Sequence, residues 1–193
     1  MIEDVKQKID ARIQQLSIFL ENHEPLFEAI TVMETALRKG KKLLVFGNGG
    51  SASQASHLAA ELVNKFYFNR KGLPAISLTT DTANITSIAN DTDYRYIFSR
   101  QVEALGGEDD TAIGITTSGT SANVLEALDT AKKLKIKTIA LCGIYTEALR
   151  QKKVDVIVDV NSTDTPIIQE MHLFFLHLIA ETLEKKIFSK MRE

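Results

Sequence analysis

The stretch Leu43-Leu44-Val45-Phe46-Gly47-Asn48-Gly49-Gly50-Ser51-Ala52-Ser53 carries the reading of the fold. Its first four residues form a short, continuous apolar run, the pattern of a strand covered on both faces. The glycines that follow let the backbone turn sharply, and residues 53–66 then show helical periodicity. Four later runs have the same character: Ala75-Ile76-Ser77-Leu78, Thr111-Ala112-Ile113-Gly114-Ile115, Lys137-Thr138-Ile139-Ala140-Leu141 and Val154-Asp155-Val156-Ile157-Val158. Helical periodicity separates them, notably over 93–105 and 122–134, with a short helix ahead of Asn90-Asp91. Strand and helix alternate, which predicts an α/β fold: a five-stranded parallel sheet between two layers of helices, a three-layer αβα sandwich.

Outward from this centre, residues 2–39 contain no glycine, and their one proline, Pro25, follows Asn22-His23-Glu24, so two helices with a break near 24 are expected. Val5, Ile9, Ile13, Leu16 and Leu20 form an apolar stripe that must be covered either by this domain or by a neighbouring subunit. Residues 167–188 read as a last helix entered through Asp164-Thr165-Pro166. The 193 residues suit one domain, 1–193, with 1–39 as helices expected to take part in oligomer packing. The 44% hydrophobic and 25% charged residues suit a globular protein and exclude disorder as its main state. A balance of 23 Lys+Arg against 25 Asp+Glu gives no basic field for a nucleic-acid backbone, so anionic ligands must be bound locally. Cys142 stands alone and can form neither an intramolecular disulfide nor a thiolate metal site. With no apolar stretch long enough for a membrane span and no signal-like N-terminus, the expectation is a soluble, cytoplasmic protein.

Parallel sheets take ligands at the carboxyl ends of their strands. The first such loop, 47–53, is glycine-rich but is neither a dinucleotide fingerprint nor a Walker loop; it serves either an anion at the helix start or merely a tight connection. The loop after the third strand, Thr116-Thr117-Ser118-Gly119-Thr120-Ser121, holds five hydroxyls in six residues. Helix capping accounts for Ser121 alone, whereas a phosphate held by hydroxyls and helix amides accounts for all of them. Asn90 and Asp91 fit sugar hydroxyls or a turn equally well.

His57 and Glu61 are four apart, about 40° on one helix face, and Gln169 and His177 are about 80° apart on the last helix. His172 points more sideways. Both histidines lie in apolar stretches, so the two helices would gain by facing each other, through a satisfied His–Glu hydrogen bond or through a shared ligand. A zinc ion held by imidazole and carboxylate is chemically allowed.

Taken together, Phe46-Gly47-Asn48-Gly49-Gly50-Ser51, His57-Leu58-Ala59-Ala60-Glu61-Leu62, Leu78-Thr79-Thr80-Asp81, Ala89-Asn90-Asp91, Phe98-Ser99-Arg100-Gln101-Val102, Thr116-Thr117-Ser118-Gly119-Thr120-Ser121-Ala122-Asn123-Val124 and Ile168-Gln169-Glu170-Met171-His172 resemble the phosphoheptose isomerases of the sugar isomerase (SIS) domain superfamily. The resemblance covers almost the whole chain in order. It implies a flavodoxin-like homotetramer that converts sedoheptulose 7-phosphate to glycero-manno-heptose 7-phosphate, the first step toward nucleotide-activated heptose for surface glycans such as lipopolysaccharide or capsule. By the family's motif, zinc is held by His57, Glu61, Gln169 and His177. Substrate is contacted by Asn48, Gly49, Gly50, Ser51, Glu61, Asn90, Asp91, Thr116, Thr117, Ser118, Ser121 and Gln169. Glu61 is then the candidate base and His177 the acid serving O1 and O2. Three departures stand out: Thr116 where the family commonly has Ser, the loop Gly143-Ile144-Tyr145-Thr146 without paired glycines, and Ile167 where Arg is common. The rival is the non-catalytic DnaA initiator-associating proteins, which share this fold and resemble the chain at Leu73-Pro74-Ala75-Ile76 but lack the equivalents of Glu61 and His177.

Overall fold

The computed structural model describes residues 2–188; Met1 and 189–193 of the expected domain lie outside the described residues. The chain runs α1 (Ile2–Glu21), α2 (Glu24–Arg38), β1 (Leu43–Gly47), α3 (Gly50–Val63), β2 (Ala75–Ser77), α4 (Thr82–Asp91), a 3-10 turn (Tyr94–Tyr96), α5 (Ser99–Leu105), β3 (Thr111–Thr116), α6 (Ala122–Lys133), β4 (Lys137–Cys142), α7 (Glu147–Gln151), β5 (Val156–Asp159) and α8 (Thr165–Phe188). The five strands form one parallel sheet in the order β2-β1-β3-β4-β5. This is the flavodoxin-like order, in which the winding reverses between β1 and β3.

Strand periodicity divides the core in two. Leu43, Val45, Ile113, Ile115, Ile139 and Leu141 face a layer made by α2, α3 and α8. Leu44, Phe46, Ala112, Ala140 and Cys142 face the other side, against α5, α6 and the partly buried residues of α4. There Phe46 stacks on Phe98 at 5.4 Å, a contact worth about 1 kcal/mol beyond its buried area. Both faces of β1 and β3 are buried along their whole length, as their unbroken apolar runs require.

Some boundaries differ from the sequence reading. Helix α3 begins at Gly50, inside the glycine loop, and stops at Val63 instead of running to 66. The segment 93–105 is split: Asp93 accepts a hydrogen bond from the Arg95 amide at 2.6 Å, starting a separate 3-10 turn before α5. Strand β5 starts two residues late because Asp155 is turned toward β4, accepting from the Thr138 amide and hydroxyl. The short α7 has no signal in the periodicity.

Helices α1 and α2 break at Asn22-His23, with Pro25 in the first turn of α2. The second packs its apolar stripe into the core, whereas α1 buries none of its residues fully. Phe19 meets Phe175, and Arg12 pairs with Glu170, but Val5, Ile9, Ile13, Leu16 and Leu20 stay exposed. Among the described residues no helix is long and apolar enough to cross a membrane.

Candidate active site

The reversal between β1 and β3 brings two loops and two helix starts to one end of the sheet. Neither start is capped by a side chain: Gly49 precedes α3 with no cap available, and Ser121 precedes α6 without bonding back to it. Ser121 turns instead to Thr116, with their hydroxyls 3.0 Å apart. Ser118 accepts from the amide and the hydroxyl of Thr120 at 3.2 and 3.1 Å. Capping, the competing explanation of Ser121, is therefore not how the residue is used. The first amides of α6 keep no side-chain acceptor, and such groups attract an anion, whereas the Ser51 and Ala52 amides of α3 already donate to the Asn48 and Gly49 carbonyls. By contrast Asp81 caps α4, accepting from the Asn84 amide at 3.1 Å.

The two loops are tied together. Asn48 and Asn123 exchange two amide hydrogen bonds of 2.8 Å, and the Tyr94 hydroxyl donates to Asn48 at 3.2 Å. Asn90 and Asp91 end α4, exposed, with the Asn90 amide donating to Asp91 at 2.8 Å. The structure gives neither a direct bond to the glycine or hydroxyl loop; the turn after them supplies Tyr94 instead.

Further along α3, His57 and Glu61 face α8. The Nε2 atoms of His57 and His177 are 3.0 Å apart, and Glu61 Oε1 lies 3.5 Å from His57 Nε2. A contact between two imidazole nitrogens requires one ring to donate and the other to accept. The shorter contact of His57 is thus with His177 and not with Glu61, and both His57 and Glu61 keep solvent access at 40% and 27% of their side chains. The ring of Phe66 lies 5.9 Å from that of His177.

Gln169 sits two turns before His177. Its amide lies against Gly50, where a Cβ would come within 2.5 Å of Nε2 and push the Gln169 side chain aside. Gln54 donates to the Gln169 backbone carbonyl at 2.6 Å, leaving its own Oε1 buried without a partner. The structure therefore brings together His57, Glu61 and His177, and separately Gly50 and Gln169.

The fourth donor aside, the set suits a metal. Two ligand atoms on one tetrahedral zinc are about 3.3 Å apart, close to the 3.0 and 3.5 Å separations seen here. Among the described residues no three His, Cys, Asp or Glu groups converge on one cation position. His172 takes no part: it is fully buried, contacts the Cys142 carbonyl through Nε2 at 3.2 Å, and burial pushes its pKa down to about 4. Burial likewise pushes the Cys142 thiol up to about 12, which leaves it protonated and unreactive.

The SIS domain family matches residues 7–143. The chain belongs to the SIS domain family. It is 45% identical over 193 residues, the whole of both chains, to a phosphoheptose isomerase of Geotalea daltonii. A phosphoheptose isomerase of Helicobacter pylori (strain P12) is 45% identical over 192 residues, covering 98% of this chain and 100% of the relative. Among solved structures, a phosphoheptose isomerase from Francisella tularensis superposes with a TM-score of 0.89 at 36% identity, covering 95% of this chain and 98% of that one. In this SIS domain three site neighbours went unread in the sequence: Asn123, Tyr94 and Gln54. Asn123 had a signal, a polar residue at the second position of a helix following a hydroxyl loop. Tyr94 and Gln54 had none, because their partners lie far away in the chain.

Proposed function

We infer that this chain isomerises D-sedoheptulose 7-phosphate to D-glycero-D-manno-heptose 7-phosphate. Full-length likeness to phosphoheptose isomerases supports the reaction. The observation in this molecule that carries the reading is an uncapped anion end, at the 116–121 loop and the start of α6, together with a partly exposed imidazole–carboxylate cluster between α3 and α8. Ser51 and His57 are separated by about 9 Å of α3, a span suited to an extended seven-carbon phosphosugar.

In this reading Thr116, Thr117, Ser118 and Ser121 hold the phosphate with the α6 amides, while Asn48, Gly49, Gly50, Ser51, Asn90, Asp91 and Gln169 hold the sugar. Glu61 removes a proton from C1 of the ketose to give a 1,2-enediol and returns it to C2. His177 moves the accompanying proton between O2 and O1. Each group needs only hydrogen-bond reach to its atom, and anchoring the far end supplies the orientation. The proposed ion is zinc, held by His57, Glu61, Gln169 and His177; when bound it polarises the carbonyl oxygen.

The exposed stripe of α1 supports a homotetramer in which these helices pack between subunits. The reading also places the protein in the cytoplasm, feeding nucleotide-activated heptose to a surface glycan. The test is a coupled or NMR assay with sedoheptulose 7-phosphate, with and without a chelator and added zinc, beside light scattering for the oligomer. Turnover with heptose 7-phosphate as product is expected. A folded oligomer inert under every condition would overturn the reading.

A further inference from the structure

Arg70 and Glu184 form an ion pair of 2.9 Å with side chains 0% and 1% exposed. Burying two charges is justified only if both are saturated with hydrogen bonds, and here they are. Glu184 accepts from the amides of Phe66 and Tyr67 at 2.9 and 2.7 Å and from Arg70 Nε. Burial opposes its ionisation, but these donors outweigh it and hold the carboxyl below the usual carboxylate range.

The remaining guanidinium nitrogens donate to main chain alone. One reaches the Glu61 carbonyl at 2.9 Å, and the other reaches the carbonyls of Leu62, Asn64 and Lys71 at 2.7, 3.3 and 3.1 Å. Those of Glu61 and Leu62 belong to the last turn of α3, where carbonyls lack intrahelical partners and carry the negative end of the helix dipole. Arg70 is thus a side-chain cap for the turn that bears Glu61. Glu184 in turn lies on α8 two turns beyond His177 and on the same face. The segment between the end of α3 and Arg70 carries Phe66, whose ring lies beside His177.

We propose that Arg70 and Glu184 are positioning residues that fix Glu61 against His177 by clamping the end of α3 to α8. The proposal rests on the reading of Glu61 and His177 as the proton-transfer pair. A lysine at 70 keeps the charge facing Glu184 but has no fork to reach several carbonyls at once.

The experiment compares Arg70→Lys, Glu184→Gln, Glu61→Gln and Asp110→Asn as purified oligomers. Asp110→Asn disrupts another pair, Lys42–Asp110 at 2.6 Å, which joins the residues just before β1 and β3 and bonds to neither α3 nor α8. Turnover of sedoheptulose 7-phosphate and long-range proton–nitrogen spectra of the histidine rings are the readouts. Arg70→Lys is expected to lower kcat at least tenfold with KM within twofold and to move the ring signals of His57 and His177. Glu184→Gln should do the same to a smaller degree, and it decides the matter if Arg70→Lys does not fold. Asp110→Asn should change neither readout. Wild-type kcat in Arg70→Lys, loss of kcat without movement of the ring signals, or an equal loss in Asp110→Asn would each overturn the proposal while Glu61→Gln remains inactive. Full turnover in Glu61→Gln would instead remove the proton-transfer reading, and the proposal with it.

Discussion

The two ends of the candidate site are built by different means. The anion end is local: hydroxyls within 116–121 bond to one another, and the helix amides they leave free belong to the next residues in the chain. The reacting end is assembled from α3 and α8, whose histidines are 120 residues apart in sequence and meet only if the helices are correctly docked. Under the proposed reaction, the local end would set affinity and the docked end would set rate.

The largest expected effect tests the docked end. Glu61→Gln and His177→Ala should each lower kcat by about 10²–10⁴-fold while leaving a folded oligomer, as measured by steady-state assay and light scattering. Near-normal turnover in either variant would remove that residue from the proton path. Next comes Gly119→Ala in the local end. Gly119 has φ +69°, and a Cβ would stand 1.9 Å from the Tyr145 carbonyl oxygen, so the 143–146 loop must move. A loss on the order of 3 kcal/mol in urea unfolding is expected; an unchanged midpoint would show that the loop yields freely.

A pH experiment separates the ends further. His172 ties α8 to β4, and its pKa falls from 6.5 unfolded to about 4 folded. The neutral ring is favoured in the fold, so its contribution is complete above pH 6.5 and is lost as pH falls from 6.5 to about 4, amounting to about 3 kcal/mol. Urea titrations across that window should show the decline, and His172→Gln should flatten it; an identical slope in the variant would assign the acid sensitivity elsewhere. The smallest effect is expected for Ser118→Ala, with KM raised about tenfold and kcat within twofold, the loss of one hydrogen bond to a charged group. A fall in kcat with KM unchanged would mean that the two ends are not separable.

The same division explains what could be read in the sequence. Unbroken apolar runs at 43–46 and 111–115 announced buried parallel strands, and hydroxyl density announced the 116–121 loop, because both are signals between neighbours in the chain. Ser121 looked like a cap, and only the path of the loop, which turns it to Thr116 five residues back, shows that it is not one. The His57–Glu61 spacing placed both on one face, but the partner of His57 proved to be His177, which no spacing within one helix can specify. The end of α3 at Val63 was illegible for the same reason, since the side chain that closes it comes from Arg70 and is held in turn by Glu184.

Helix α8 supplies Gln169, His172, His177 and Glu184, and every other described element precedes it in the chain. During synthesis the four inner elements β1, α3, β3 and α6 leave the ribosome well before their partner helix. A nascent chain stalled before residue 165 could present a formed hydroxyl loop, yet would expose the α3 face that α8 covers. That interval is when a growing chain would be most exposed to chaperone capture or to association with its neighbours on the same messenger.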